Sequence, residues 1–234
     1  MEKALETKDM TIMIADIGVS LANALRRSSS EIPILAIDEV DIYQNDSALT
    51  DEILAHRIGL VPLKNQKTKK DKFVELKLKV SAKEPTYVLS KELQGDIVFD
   101  EVPLVYIDKG QSIEVVGKAR QGLGKDHAKF SPGLVYYYHL SDVKVSKDGE
   151  KNLELAELHP EVFENKSGKL VVKNSWACNF DQEDIEDFNG VEVEQTDKIV
   201  YIVESWGQIT PSEIVIGSAK ALSDNLAELE KALK

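Results

Sequence analysis

Cysteine is nearly missing from this sequence. The single residue, Cys178, excludes an intramolecular disulfide and any all-cysteine zinc or iron–sulfur site supplied by this chain alone. Histidine is scarce as well: there are four, and no nucleophile–base constellation stands out around them. Gly-x-Gly-x-x-Gly, the phosphate-binding P-loop and His-Glu-x-x-His are all absent. Gly122-Leu123-Gly124 followed by Lys125 has the glycines of a phosphate loop but lacks the second glycine and the Lys-Ser/Thr element. These gaps argue against an enzyme with an active site of its own. No apolar run approaches the roughly 20 residues of a membrane-spanning helix. The stretch MEKALETKDMTIMI lacks a signal-type apolar block, so the expected location is the cytoplasm, without membrane contact. Positive charge is outweighed: 29 Lys and Arg stand against 41 Asp and Glu, a formal net charge of −12. Phosphate backbones reward cationic surfaces through counterion release, so an acidic chain is a poor independent DNA binder.

What is present suffices for a sizeable core. The 234 residues are 42% hydrophobic and 30% charged, the composition of one or two globular domains. Thr11–Ile14 reads as a short strand. Gly18–Arg27 puts Leu21, Ala22 and Leu25 on one helical face and ends before Pro33. Ile34–Tyr43 is β-branched and apolar, interrupted by acidic residues, and reads as a strand. Thr50–Ile58 carries nearly every local helix signal: Thr50 as N-cap, Asp51 and Glu52 in the first turn, His56 and Arg57 in the last, and Gly59 as a stop. Phe73–Val80 alternates, with Val74, Leu76, Leu78 and Val80 on one face, as a half-buried antiparallel strand does. Further strands are expected at Thr86–Leu89, Ile97–Ile107, Ser112–Arg120, Leu134–Val145 and Lys198–Glu204.

Between about 147 and 197 the elements are short. Turn pairs (Asp148-Gly149, Ser167-Gly168, Asn189-Gly190) punctuate them, and Ala177 to Asp197 holds no Lys or Arg. The C-terminal helix is the clearest element. Thr210-Pro211-Ser212-Glu213 is a capping box with proline at the first helical position. Val215, Ala219, Leu222, Leu226, Leu229 and Leu233 then follow at spacings of four, three, four, three, four, a heptad seam. Such a seam closes an internal core or meets a partner helix; on a capped terminal helix it suits a heterodimer partner better.

Four blocks together resemble one family, which comprises the archaeal D-type RNA polymerase subunits, the eukaryotic third-largest polymerase subunit and the N-terminal domain of the bacterial alpha subunit. The blocks are LANALRRSSSEIPILAIDEV (Leu21–Val40), LTDEILAHRIGLVPL (Leu49–Leu63), GLGKDHAKFSP (Gly122–Pro132) and the capped C-terminal helix. They stand in the family's order and cover the chain from end to end. The resemblance implies a mixed α/β (α+β) protein. A split alpha-like dimerisation domain (1–38 and 198–234) would carry an inserted β-rich domain (39–146) and a ferredoxin-like insert (147–197). It also implies an assembly role. The chain would pair with small subunit L through Leu21, Leu25 and the C-terminal seam. Small subunits N and P and the two large catalytic subunits would join that platform, with Arg26, Arg27, Lys125 and Lys129 meeting a large subunit.

Two departures from the family are visible. Ser28-Ser29-Ser30 is polar where relatives carry bulky apolar residues. In some archaeal relatives the insert holds an iron–sulfur cluster on C-x2-C-x2-C-x3-C cysteines. Here that spacing reads Cys178, Asp181, Asp184, Phe188, and clusters need thiolates, so no cofactor is expected.

Several of these residues also have plainer readings. Arg26 and Arg27 can complement a helix dipole as solvated charges. His56, His139 and His159 look structural, and His127 fits either role. Lysines 64, 67, 69, 70 and 72 lack interleaved aromatics and read as a solvated loop. Rival classes for the whole chain are a ferredoxin-like metal or redox module and a free-standing acidic adaptor.

Overall fold

A computed structural model describes residues 2–67 and 72–234. The chain runs β1 (Glu2–Glu6), β2 (Met10–Ala15), α1 (Val19–Ser28), β3 (Ile34–Asn45), α2 (Asp51–Gly59), β4 (Val74–Ser81), β5 (Thr86–Leu89), β6 (Pro103–Ile107) and β7 (Ser112–Gly122). It continues through β8 (Gly133–Val145), α3 (Glu154–Leu158), β9 (Phe163–Lys166), β10 (Lys169–Val172), β11 (Val191–Ser205) and α4 (Pro211–Ala232). The fold is therefore mixed α+β. Lys69 and Lys70 of the lysine-rich loop lie outside the described residues.

Two compact units emerge, neither of them continuous in sequence: residues 1–24 with 135–203, and residues 25–134 with 204–234. The first contains a four-stranded sheet in the order β1-β2-β11-β8. Ile12, Val200 and Ile202 pack on one face of it. Beside that sheet the short elements of 147–197 gather a core of their own from Leu155, Val162, Phe163, Leu170, Phe180 and Ile185, together with Val143, Val191 and Val193. The β9–β10 hairpin turns on Ser167 (φ 56) and Gly168 (φ 80). Two successive positive φ values define the tight turn whose twist matches the flanking strands, and the second falls on glycine, which takes it without steric cost.

The second unit is built on the sheet β3-β7-β4, with β7 central and antiparallel to both neighbours. Leu76 and Leu78 of β4 point inward as their alternation requires, joining Leu35, Ile37, Leu54, Ile58 and Ile113 in one core. Ile34–Ile37 is buried at every residue, the burial pattern of a strand covered on both faces. Strand β3 then breaks register: Ile37 faces Ala119 and Glu39 faces Lys118, leaving Asp38 as an extra residue in a β-bulge.

Two expectations need correction. Gly59 is not the stop of α2; it lies within the helix, outside the positive-φ set. The last turn closes through Leu60 N–H to the His56 and Arg57 carbonyls and Val61 N–H to the Ile58 carbonyl. Pro62 ends it, because proline has no N–H to continue the ladder and drives the preceding residue out of the helical region. Likewise only the end of Ile97–Ile107 is strand. Ile97 makes an isolated bridge to Leu63, and Asp100-Glu101 turn before β6 begins.

Candidate functional site

Arg26 and Arg27 occupy the last turn of α1, where carbonyls have no intrahelical partner. The serines that follow supply one: Ser29 Oγ donates to the Arg26 carbonyl (2.7 Å) and Ser30 Oγ to the Arg27 carbonyl (2.8 Å). The polar Ser28-Ser29-Ser30 segment thus finishes the helix through hydroxyls, and Ser28 and Ser29 are buried. The Ser30 carbonyl accepts the Lys125 N–H (3.2 Å), which brings the backbone of the Leu123–Phe130 loop onto the end of α1. Three of the four basic residues singled out from the sequence therefore stand on adjoining backbone in the second unit.

The fourth is engaged internally. Lys129 Nζ lies 2.7 Å from Asp38 Oδ1, and its side chain is only 14% exposed. Arg120 Nε takes the other oxygen, Oδ2, at 2.6 Å. Burial pushes the Asp38 carboxyl upward, but hydrogen bonds and charge from Lys129 and Arg120 outweigh it and hold the group below the ordinary carboxylate range. Both cations also sit over the ring of buried Phe130, 5.6 Å (Arg120) and 5.1 Å (Lys129) from its centroid. His127 Nδ1 accepts the Lys129 N–H (3.1 Å), so His127 caps the turn that carries Lys129. The sequence reading missed Asp38, Arg120 and Phe130. The available signal was an acid inside the apolar run ILAIDEV.

Helix α4 begins as its capping box requires. Thr210 N–H donates to Glu213 Oε2 (2.8 Å) and Glu213 N–H to Thr210 Oγ1 (3.3 Å). Ile214 and Ser218 face inward; Gly217 passes Ile32 so closely that a Cβ there would stand 2.8 Å from Ile32 Cδ1; Asn225 Nδ2 donates to the Glu31 carboxylate. This inward face is not the heptad seam. At about 100° per residue the seam lies roughly a quarter-turn round the helix. Val215 and Leu222 are half-buried, Ala219 is exposed, and Leu226, Leu229 and Leu233 are 58%, 55% and 79% exposed. On α1, Leu21 is exposed and Leu25 half-buried.

Helix α4 thus presents Leu226, Leu229 and Leu233 to solvent, and sequence comparison gives the family of the chain. The RNA polymerase Rpb3/Rpb11 dimerisation domain family matches residues 11–226. The chain belongs to that family. It is 35% identical over 232 residues to the DNA-directed RNA polymerase subunit Rpo3 of Pyrococcus horikoshii, covering 90% of this chain and 88% of that one. The Rpo3 of Thermococcus kodakarensis is 35% identical over 243 residues (94% and 92%). The DNA-directed RNA polymerase II subunit rpb3 of Dictyostelium discoideum is 29% identical over 280 residues (97% and 92%).

In this member of the Rpb3/Rpb11 family the cluster-spaced positions do not fit an iron–sulfur group. Cys178 is buried in the apolar core with its Sγ–H directed at the Phe180 carbonyl (3.4 Å), and burial pushes the thiol up. Asp184 Oδ2 accepts the Asp181 N–H and Asp181 Oδ1 accepts the Glu183 N–H, each at 3.0 Å. The two carboxylates thus brace a turn, and Phe188 packs against the core. Among the described residues no group of three or more His, Cys, Asp or Glu side chains is arranged to hold a metal ion. Tyr138, beside Cys178 in one polar cleft, donates its hydroxyl to the Trp176 carbonyl, and burial raises its pKa to about 12.

Proposed function

We propose that this chain is a structural and assembly subunit of a DNA-directed RNA polymerase, with no active-site residue of its own and no direct grip on DNA. The observation that carries this reading is the exposed leucine seam of α4 in a chain of the Rpb3/Rpb11 dimerisation family. Leu21, Leu25, Val215, Ala219, Leu222, Leu226, Leu229 and Leu233 form the surface for a smaller alpha-like partner, subunit L. Subunits N and P and the two large catalytic subunits join that pair. Arg26, Arg27 and Lys125 touch one of the large subunits, and Lys129 acts through the loop it anchors.

The domain plan goes with this role. Residues 1–38 and 198–234 form the dimerisation domain, 39–146 a β-rich insert, and 147–197 a ferredoxin-like insert closed by apolar packing in place of a cluster. Among the described residues no helix is long and apolar enough to cross a membrane; the place of work in this proposal is the cytoplasm. Neither the metal or redox module nor the unrelated acidic adaptor finds support in the comparisons. A tagged chain expressed in its own host and purified under native conditions tests the reading. Polymerase subunits should co-purify in stoichiometric amounts; a chain that emerges alone, with polymerase intact elsewhere, would overturn it.

A further inference from the structure

We propose that Asp38 is a positioning residue for assembly: it presets the Leu123–Phe130 loop so that Lys125 stands beside Arg26 and Arg27 before any large subunit arrives. The proposal rests on the large-subunit contact assigned under Proposed function.

The bulge in β3 is its starting point. An extra residue in one strand turns its side chain away from the alternation of its neighbours, and here that residue is an acid whose preceding neighbour, Ile37, is buried in the core. Its two oxygens hold two cations from different elements, Arg120 on β7 and Lys129 in the loop. Both cations rest over Phe130. Removal of the carboxylate would leave two like charges beside one ring with no anion between them, and their repulsion would push on the loop.

The loop is also closely fitted at its glycines. A Cβ on Gly122 would meet the Phe130 ring at 2.6 Å, and one on Gly124 would meet Ser131 Oγ at 2.8 Å and Ser30 Cα at 3.2 Å. Lys125 is tied to Ser30 through its backbone N–H. A loop ordered in advance loses little freedom on docking, so pre-organisation strengthens binding without adding a contact. Asp38 touches no partner in this scheme; it acts through the loop.

The test uses the full chain co-expressed with its small partner subunit, in parent, Asp38→Asn, Asp38→Glu and Gly124→Ala forms, with Arg26→Ala/Arg27→Ala as reference. Two quantities are read on each heterodimer: amide hydrogen exchange of the Leu123–Ser131 peptide, and binding of the purified second-largest polymerase subunit. For Asp38→Asn, exchange in that peptide should rise and binding should weaken, each by about tenfold, while peptides from β4 and β5 keep their protection. Asp38→Glu should recover part of both. Gly124→Ala, which pries the loop from Ser30 without changing charge, should reproduce both effects and decides the matter if Asp38→Asn does not fold. A loop that stays protected, or one that loosens while binding is unchanged, overturns the positioning role. If the arginine pair variant loses binding and Asp38→Asn does not, only this proposal fails; if the arginine pair variant binds normally, the contact reading fails and takes the proposal with it.

Discussion

Substituting Leu226 by Asp separates pairing from folding. In the isolated chain Leu226 is 58% exposed, so the change removes little internal packing and should alter the chain's own stability by about 0.5 kcal/mol or less. In the proposed heterodimer the remaining leucine surface would be covered. Full burial of a leucine contributes about 1.5–3 kcal/mol, so the part still exposed contributes roughly 1–2 kcal/mol. An unpaired carboxylate in that place adds a desolvation cost of several kcal/mol. Together these weaken association by roughly 4–6 kcal/mol, or about a thousandfold or more at about 1.4 kcal/mol per decade. Ile214→Asp is the contrast. Ile214 is fully buried on the inward face of the same helix, so its substitution should destabilise the chain by more than about 4 kcal/mol before pairing is considered. Size-exclusion chromatography of the co-expressed pair at falling concentration, with circular dichroism melts of each variant, reads both. If Leu226→Asp still co-elutes with its partner at nanomolar concentration, or melts like Ile214→Asp, the seam assignment is wrong.

Three further outcomes are expected. An Arg26→Ala/Arg27→Ala variant should fold and pair normally, each lost helix-end charge giving up about 0.3–1 kcal/mol of dipole interaction, yet recruit the large subunits poorly in a reconstitution assay; a folding defect would refute the assignment. Anaerobically purified protein should be colourless and nearly free of iron, and stoichiometric iron with sulfide-linked visible absorbance would sink the cluster-less reading. Hydrogen bonds from the Thr210 backbone and side chain lower the Glu213 pKa, so the folded value lies below the unfolded one and the box contributes fully above the ordinary glutamate range. Its contribution fades as pH falls through the folded value: Thr210→Ala should cost about 0.5–2 kcal/mol in urea unfolding at pH 7 and less near pH 3, and a cost that is flat or larger in acid would contradict this.

Where a local rule decides the structure, the sequence was readable. The Thr210–Glu213 box, the acidic start and basic end of α2, and the Leu76/Leu78 alternation of β4 each need only neighbours a few residues away. The missed features depend on distant partners. Nothing local announces the bulge at Asp38, because it exists only in register with β7, some 80 residues on. The elements between 149 and 172 are too short to show a period, so Leu155, Phe163 and Leu170 look scattered until they meet in one core. Gly59 misleads because glycine after a basic turn resembles a stop, whereas Pro62 acts from three residues further on. The proposed contact divides the same way: Arg26, Arg27 and Lys125 are expected there from family resemblance, but the Asp38 carboxylate that pairs with Arg120 and Lys129 is a tertiary fact.

The interleaving of the two units has a temporal consequence. The second unit is made of residues 25–134 and 204–234, with all of 135–203 between them. Translation at roughly 5–20 residues per second leaves a gap of about 3–14 s between its two parts. During that gap the sheet β3-β7-β4 has emerged, but Ile214 and Ser218 have not yet come to cover the Ile32 segment. The nascent second unit is unfinished until α4 arrives, and α4 also carries most of the leucines of the proposed pairing surface. Completion of this unit and emergence of the α4 leucines therefore coincide, so a polysome carrying an incomplete chain offers Leu21 and Leu25 but lacks the larger part of the proposed surface.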